Sequence, residues 1–347
     1  MRRTLRANPP GLLTLALAAL CIITAGVYLG SSGIRPSDTL RILLHKLFGL
    51  GLPEGTDPKN LSIVWLLRLP RVLLAFLAGG SLAVGGAITQ SALRNPLASP
   101  YILGVSSGAS LGAGLVIISG VSLPFLRGFT LPLTGFAFGL GTVFLVVAFA
   151  ARVDKTLSSH TIILCGMVFS LFVGALLTSA TAIFSDDIKR IVLWQMGTYA
   201  MRGWLYVRLI LPFSVIGIAG AMRYAREMDM LAFGDEQALS GGVEAGAVRK
   251  RLLFFSTLLT GAAVSLSGVV GFVDLIAPHA ARRAAGSAHR LLIPVSFLFG
   301  GSLMVITDLV ARTVISPSEL PLGAITALIG APFFFWIYFK SRTRAAA

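Results

Sequence analysis

The sequence predicts an all-α membrane protein with about ten transmembrane helices. Of its 347 residues, 55% are hydrophobic and only 12% are Asp, Glu, Lys or Arg, about half the charged fraction of a soluble domain. A water-soluble fold of this size would lack the polar side chains needed to cover its surface. The hydrophobic residues also gather into separate runs of about 20, the length that crosses a bilayer as a helix.

Nine apolar runs are candidates for membrane spans. They occupy residues 11–30, 70–92, 100–119, 129–151, 160–184, 205–222, 252–268, 291–311 and 321–339. A further segment, residues 269–281, is apolar but short, and Pro278 interrupts it. We predict a half-helix there in a protein-lined environment, since broken backbone at membrane depth must be shielded from lipid.

The formal net charge of +15 follows the positive-inside rule, by which Lys and Arg collect in cytoplasmic loops. Arg2, Arg3 and Arg6 place the N-terminus in the cytoplasm, and the loops on that side also carry basic clusters. The opposite loops contain acidic residues such as Glu54. The alternation requires residues 269–281 to count as a crossing, which predicts both termini on the cytoplasmic side of the inner (cytoplasmic) membrane. Because topology accounts for the basic residues, no nucleic-acid partner is predicted.

The loops predict a single transmembrane domain over residues 1–347, with its longest cytoplasmic connection at about 223–251. Within that connection, residues 228–239 predict surface-lying helix with Met and Leu on one face. Residues 31–67 form the longest outer connection. Their apolar patch at 40–50 predicts an interfacial helix.

Motifs for ATP hydrolysis and for a catalytic metal are missing from the sequence. A P-loop needs Gly-Lys before Ser or Thr to cradle phosphates, and the chain contains no Gly-Lys dipeptide. It also contains no His-Glu-x-x-His zinc motif. We therefore predict that the chain is not an enzyme, has no cofactor or metal site, and takes its energy from other proteins.

Charged residues at membrane depth are costly and draw attention to three positions. Asp308 and Arg312 are one helical turn apart and are predicted to pair, either as a structural ion pair near the outer interface or as part of a functional site. Asp274 lies in the short segment between Gly271 and Pro278. It either faces a water-filled path or caps a half-helix.

Two arginines, Arg68 and Arg71, stand at the outer start of the second span. Their position opposes the positive-inside bias, so it asks for a reason of its own. An outer basic cluster predicts a docking surface for an acidic partner protein. Anchoring to lipid headgroups is the alternative, and the charge pattern alone does not choose between them.

Four groups of motifs occur in a fixed order along the chain. They are Arg68-Leu69-Pro70-Arg71 with Gln90, residues 94–100 and residues 103–109; Trp194-Gln195-Met196-Gly197 with Gly203-Trp204; residues 268–273 with Pro278-His279 and Arg282; and Asp308, Arg312, residues 319–323 and residues 330–333. The ordered set resembles the permease family of type II ABC importers (FecCD/BtuC-like permeases), which move iron–siderophore complexes, haem and cobalamin. The resemblance covers nearly the whole chain past residue 60. It implies the type II ABC importer permease fold, with ten helices per subunit.

The resemblance also implies partners and site residues. The permease would work as a homodimer in membrane lipid with its pathway at the dimer axis, two ATP-binding subunits below and an extracytoplasmic substrate-binding protein above. The implied sites are Arg68, Arg71 and Arg312 for docking of the binding protein; Gly234, Asp235, Glu236 and Ala238, within residues 229–242, for coupling to the ATPase; and Asn95, Leu97, Ser159 and His160 for the cytoplasmic gate.

The sequence departs from the family pattern at four positions. Leu239 stands where the family usually has Arg, and Gly241 where it usually has Leu. Asp274 replaces a usual Gly, and Ala288 a usual Asp. The first two departures put the detailed contact with the ATPase in question, but not its location.

The expected function is transport of a metal chelate, driven by partner ATPase subunits. An iron–siderophore complex is the first expectation because it is common in the family, and cobalamin or haem is the alternative. From another class, an ion-coupled secondary transporter would need buried carboxylates near the bilayer midplane. Only Asp274 and Asp308 approach that description.

Overall fold

A computed structural model describes residues 9–30, 33–51, 57–124 and 128–345. Within these ranges the chain is helical and contains no β-strand. The predicted orientation residues Arg2, Arg3 and Arg6, and the outer-loop residue Glu54, lie outside them. The helices are α1 (Pro9–Tyr28), α2 (Pro36–Phe48), α3 (Pro58–Ser62) with a π-helical turn (Ile63–Arg68), α4 (Leu69–Ala92), α5 (Val105–Ser119), α6 (Thr130–Val153), α7 (Ser159–Ile183), α8 (Ile188–Met196), α9 (Trp204–Arg223), α10 (Ala225–Leu231), α11 (Asp235–Ser240), α12 (Ala245–Ser267), α13 (Val273–Ala285), α14 (His289–Thr313) and α15 (Leu322–Ala345).

Ten of these helices correspond to the ten predicted crossings: α1, α4, α5, α6, α7, α9, α12, α13, α14 and α15. In the described part of the chain, six spans are long and apolar enough by themselves to cross a membrane: 11–28, 58–92, 130–153, 159–183, 204–223 and 289–313. Helix α5 and residues 322–333 of α15 are shorter but also apolar. A helix, α2, occupies the outer connection where an interfacial helix is predicted, and its place at the membrane interface stays a prediction.

The predicted half-helix at residues 269–281 is present, but the break lies elsewhere. Irregular backbone occupies 268–272, and α13 then continues through Pro278 without interruption. Pro278 has no N–H to donate to the carbonyl of Asp274, four residues earlier. The side-chain Nε2 of Gln90 donates to that carbonyl instead, at 3.2 Å. A neighbouring helix therefore supplies the hydrogen bond that the proline removes, and the half-helix stays intact.

Helix α4 lies at the centre of the bundle and packs against α9, α12, α13 and α14. Small residues permit this packing, as expected where packing rather than water drives helix association. A Cβ on Gly79 would lie 2.4 Å from the carbonyl oxygen of Gly300 on α14. A Cβ on Gly86 would lie 2.0 Å from the carbonyl oxygen of Asp274 on α13. At both points only glycine allows the two backbones to meet.

The connections alternate between two ends of the bundle. Arg249 joins the α4 terminus at Ala92, the α6–α7 loop at Leu157 and the α10–α11 region at Asp235, so these three lie at one end. This is the predicted cytoplasmic end. The α1 terminus, the start of α4 and the α14–α15 connection meet at the other, the predicted outer end.

Candidate functional site

At the predicted outer end, Arg71 is held by two carboxylates. Its Nε and Nη2 donate to Asp308 Oδ1 at 2.9 and 2.8 Å, and its Nη1 donates to Glu319 Oε1 at 2.6 Å. Asp308 is only 1% exposed, whereas Glu319 is 32% exposed. Arg312 approaches Asp308 at 3.4 Å, so the predicted pair forms, but Arg71 is the closer partner. The Arg71 pairs could not be read from spacing, since 237 residues separate Arg71 from Asp308.

Arg68 and Arg312 bind the end of α1. Arg68 Nη1 donates to the carbonyls of Val27 and Tyr28 at 3.3 and 3.1 Å, and Arg312 Nη2 donates to the carbonyl of Gly26. The last carbonyls of a helix have no partner within it and carry partial negative charge. The two arginines therefore satisfy the terminus of α1 and tie it to α4 and α14.

The three arginines predicted for docking thus lie together, but with little exposed surface. Arg68 is 5% exposed, the Arg71 side chain 12% and Arg312 7%. Their guanidinium groups contact carbonyls and carboxylates of the same chain. An acidic partner would have to compete with those groups, above all with Glu319. Docking at this cluster stays a prediction.

The coupling segment consists of α10, a tight turn at Gly234 and α11. Gly234 has φ 118° and ψ 161°, a conformation that side chains disfavour, and a Cβ there would lie 2.5 Å from Gln237 Oε1. Ala238 is 0% exposed and anchors α11 to the bundle. Phe233 and Leu239 are 78% and 65% exposed. The segment therefore presents two large apolar side chains at the predicted cytoplasmic end. Glu236, predicted for ATPase coupling, is also exposed there.

Two of the four departures from the family pattern have structural counterparts. A Cβ on Gly241 would lie 1.9 Å from Met230 Cε, so Met230 occupies the space that a larger residue at 241 would need. Ala288 cannot cap α14 with its side chain. The carboxylate of Asp229 on α10 does so instead, because its Oδ1 accepts from the His289 N–H at 3.0 Å.

Arg249 connects the coupling segment to the rest of the bundle. It is 0% exposed, and its Nη2 donates to Asp235 at 3.0 Å. Its Nε donates to the carbonyl of Ala92 and its Nη1 to the carbonyl of Leu157, both at 2.8 Å. Arg249 lies outside the residues that the sequence predicts to be functional. A helical period could have found it, because Arg249 shares the buried face of α12 with Leu253 and Ser256, whereas its basic neighbours do not.

The predicted gate residues lie on two loops at this same end. Asn95 Oδ1 accepts from the Leu97 N–H at 2.9 Å, which fixes the loop after α4, and Leu97 is 49% exposed. Ser159 begins α7 with a buried hydroxyl that has no hydrogen-bond partner among the described residues. His160 follows it and is exposed. Whether these residues close a pathway stays a prediction.

Asp154 shapes the second of these loops. Its Oδ1 accepts from the Thr156 hydroxyl at 2.6 Å and the Thr156 N–H at 2.9 Å, and its Oδ2 accepts from the Ser158 N–H at 2.9 Å. These hydrogen bonds, with that of the Thr156 hydroxyl foremost, hold the pKa of the Asp154 carboxyl well below its usual range. The carboxylate therefore stays ionised at physiological pH.

A cavity of about 470 Å³ lies beside the coupling segment. Its lining includes Ser91, Arg94, Asp229, Arg282 and His289. The ring of His289 bridges two elements, with Nδ1 2.5 Å from Asp229 on α10 and Nε2 2.5 Å from Ser91 on α4. Sequence spacing gave no sign of this bridge, because its members come from distant segments.

Asp274 is 1% exposed and lies in the first turn of α13. The hydroxyl of Ser99, next to the predicted gate, donates to Asp274 Oδ2. The first turn of a helix favours a negative charge, but Asp274 Oδ1 has no hydrogen-bond partner among the described residues, so both alternatives, a cap and a water-filled path, stay predictions. Through the bond from Ser99, Asp274 links the half-helix to the loop after α4.

The profile of the FecCD transport family matches residues 16–340. The chain belongs to the FecCD transport family. The ABC transporter permease protein YvrB of Bacillus subtilis is 41% identical to it, over 92% of this chain and 90% of YvrB. The cobalamin import system permease protein BtuC of Halobacterium salinarum is 37% identical, over 99% of this chain and 92% of its own.

A solved structure described as an inward-facing conformation of a metal-chelate type ABC transporter is similar in fold, with a TM-score of 0.83 and 30% identity. The match covers 96% of this chain and all of the other. Together with the family match, it confirms the predicted all-α, multi-pass membrane fold and the resemblance to FecCD/BtuC-like permeases.

FecCD proteins are transport permease subunits, and ATP is hydrolysed in a separate subunit. This confirms the prediction that the chain is not itself an enzyme. The chain contains a Gly-x-Ser-x-Gly pattern at residues 104–108, which in some hydrolases forms the turn that carries a nucleophilic serine. A nucleophile turn joins a strand to a helix, however, and here a 3₁₀ turn precedes α5.

Proposed function

We propose that this chain is the membrane-spanning permease subunit of an ABC importer that carries a metal chelate inward across the cytoplasmic membrane. The observation that carries the proposal is the coupling segment. It presents Phe233 and Leu239 outward, and Asp235 and Arg249 fix it to the backbone next to both groups of predicted gate residues. Movement imposed on that segment has a direct route into the bundle. ATP binding and hydrolysis in partner subunits would open the cytoplasmic gate and a gate at the outer end in turn.

The proposed assembly is a homodimer with two ATP-binding subunits and one extracytoplasmic binding protein. Exposed apolar side chains at a water-facing end are costly unless a partner covers them. Phe233 and Leu239 would meet the ATP-binding subunit in this way, and Leu239 would make an apolar contact where the family usually has Arg. The arginines at the outer end would receive acidic side chains of the binding protein.

The proposed orientation puts both termini and the coupling segment in the cytoplasm, within one transmembrane domain. Cysteine accessibility in intact cells tests it, with Lys155→Cys for the cytoplasmic end and Lys189→Cys for the outer end. Both lysines are exposed. A membrane-impermeant maleimide should label only Lys189→Cys. Labelling of Lys155→Cys instead would invert the orientation.

For the cargo, we propose an iron–siderophore complex, with cobalamin or haem as the alternative. Relatives named for cobalamin, hemin and Fe(3+) dicitrate import are 37%, 38% and 36% identical to this chain, so identity does not rank the chelates. A binding panel of ferrichrome, ferric enterobactin, haemin and cyanocobalamin against the cognate binding protein tests the choice. Tight binding of one of the two iron siderophores alone supports the proposal. Tight binding of haemin or cyanocobalamin alone selects the alternative.

The energy source separates an ABC importer from a secondary transporter. Proteoliposomes containing the permease, its ATP-binding subunits and the binding protein should take up the bound chelate at the same rate with or without a proton uncoupler, at constant ATP. Uptake abolished by the uncoupler would favour ion coupling. Asp308 is a weak candidate for such coupling because Arg71 already pairs with it at 2.8 Å.

A further inference from the structure

Arg249 hydrogen-bonds to three parts of the chain at once. Its Nη2 reaches the carboxylate of Asp235 in the coupling segment, and its other nitrogens reach the carbonyls of Ala92 and Leu157. The planar guanidinium holds these acceptors in fixed directions. Since the side chain is 0% exposed, water does not compete for any of them. Moving one partner therefore strains the bonds to the other two.

The two carbonyl acceptors lie next to the predicted gate residues in the chain. Ala92 is the last residue of α4, shortly before Asn95, and Leu157 precedes Ser159 at the start of α7. Leu157 has φ 53°, in the left-handed region that residues with side chains rarely adopt. Backbone in that region persists only where surrounding contacts hold it there. The Arg249 bond to the Leu157 carbonyl is one of those contacts.

The third acceptor belongs to the segment that an ATPase would move. Asp235 is the first residue of α11, and its side chain is 37% exposed. Arg94 also approaches it, at 3.4 Å, from the loop after α4. Hydrogen bonds between charged groups are short and strong, so a shift of α11 acts on Arg249 rather than being lost in loose contacts.

We propose that Arg249 is a positioning residue that transmits movement of the coupling segment to both cytoplasmic gate loops. The inference rests on the proposed function, because an ATPase must move α11 for the linkage to act. It adds the side chain through which that movement reaches the carbonyls of Ala92 and Leu157.

The test measures movement of the predicted cytoplasmic gate rather than uptake of the chelate. A spin label on Lys155→Cys, in a background carrying Cys21→Ser and Cys165→Ala, reports the distance between the two copies in the dimer. The permease is assembled with its ATP-binding subunits in lipid nanodiscs, and the distance is measured without nucleotide and after trapping with ATP and vanadate. ATP hydrolysis is measured on the same samples.

Arg249→Lys keeps the charge but loses the planar fork that reaches three acceptors. We expect the complex that carries this variant to hydrolyse ATP at a rate within about twofold of the parent complex, while it loses at least half of the nucleotide-dependent distance shift. A residue that served only stability would lower assembly and hydrolysis together. Arg251→Lys is the matched control, because Arg251 lies on the same helix, is exposed and contacts only the Tyr224 hydroxyl among the hydrogen bonds described. The complex with Arg251→Lys should show the same nucleotide-dependent distance shift as the parent.

Asp235→Asn provides a second variant if Arg249→Lys does not assemble, since it weakens the same link from the other side. A full nucleotide-dependent distance shift in an assembled complex with either variant, Arg249→Lys or Asp235→Asn, would overturn the inference. If the parent itself shows no shift while its ATP-binding subunits hydrolyse ATP, the proposed function fails first, and the inference fails with it. The parent sample therefore distinguishes the two failures.

Discussion

Among single residues, Arg71 bears most directly on the stability of the predicted outer end. Its removal would leave Asp308, which is 1% exposed, without its closest cation. We expect Arg71→Met to lower the free energy of unfolding by about 3–5 kcal/mol, as when one partner of a buried ion pair is removed. Unfolding by SDS in mixed micelles, followed by tryptophan fluorescence, measures the change.

The control for Arg71→Met is Arg190→Met. Arg190 pairs with Asp187 at 3.0 Å, but its side chain is 66% exposed, so its loss should change stability by less than about 1 kcal/mol. The double variant Arg71→Met with Asp308→Leu should recover part of the loss, because the buried carboxylate is gone, but not all of it, because Arg312 then lacks the carboxylate 3.4 Å away. Equal effects of Arg71→Met and Arg190→Met would show that the buried pair does not stabilise the fold.

Glu319 gives a sharper test of docking than reversal of the arginines, which would also break internal contacts. It is the more exposed of the two carboxylates on Arg71 and would compete with an acidic partner. Glu319→Gln should therefore tighten binding of the cognate binding protein by up to about fivefold, the value of an exposed ion pair. The gain should shrink at high salt. Unchanged or weaker binding would count against docking at Arg71.

Asp154 predicts a pH dependence with a definite sign. The pKa of the Asp154 carboxyl is lower in the folded state than in the unfolded state. Its contribution to the stability of the loop is therefore fully present above the unfolded pKa of about 3.9 and is lost only as the pH falls through the lower folded value. Hydrogen-exchange protection of the Thr156 and Ser158 amides should be constant from about pH 8 to about pH 5 once corrected for intrinsic rates. Asp154→Ala should remove that protection at every pH, and Lys155→Ala should not. Protection that declines between those pH values would refute the assignment.

Single residues also show where sequence reasoning stops. The ordered motifs located Arg68 and Arg312 at the predicted outer end, and the family resemblance implied that both face a partner protein. The structure instead directs them to the end of α1, through carbonyls 40 and 286 residues away. No local pattern in the sequence encodes contacts at that separation. The partners of Arg249 at Ala92 and Leu157 were not predictable for the same reason.

At the scale of elements, the contact between α4 and α13 depends on Gly86. A Cβ there would lie 2.0 Å from the backbone oxygen of Asp274, which cannot move without shifting α13. We expect Gly86→Ala to lower the melting temperature in detergent markedly, with a loss of about 1–3 kcal/mol, typical of overpacking.

Gly141 on α6 is the matched control for Gly86, because a Cβ there meets nothing within 4 Å. Gly141→Ala should be neutral or stabilising by up to about 1 kcal/mol, since alanine favours the helix. If both substitutions have the same effect, close packing between α4 and α13 is not the reason for glycine at 86.

The helices themselves were predictable, because a span of about 20 apolar residues has few alternatives in lipid. The least predictable element was α13. Because proline lacks an N–H, the sequence predicts a break at Pro278. In the structure the side-chain amide of Gln90 on α4 donates to the Asp274 carbonyl instead, and the helix continues. The true break, at 268–272, precedes the helix. Its location depends on packing against neighbouring segments, where Gly268 would clash with Trp194 if it carried a Cβ.

For the whole molecule, the order of motifs along the chain was enough to predict the family and the ten crossings. The sequence did not show the connection between the two predicted sites at the predicted cytoplasmic end. Coupling residues and gate residues were separate groups in the motif analysis. In the folded chain one buried arginine and the His289 bridge join α10 and α11 to the end of α4. We therefore propose that the coupling and gate residues move as one mechanical unit driven from outside the chain.

The most direct test of that account is uptake with an ATPase that binds but does not hydrolyse ATP. Proteoliposomes are prepared with the permease, its binding protein loaded with the radiolabelled chelate it binds, and ATP-binding subunits whose catalytic Glu is replaced by Gln. We predict that uptake falls to the level of liposomes without permease, while the unaltered subunits support accumulation against a gradient. Accumulation that continues without hydrolysis would contradict the central claim.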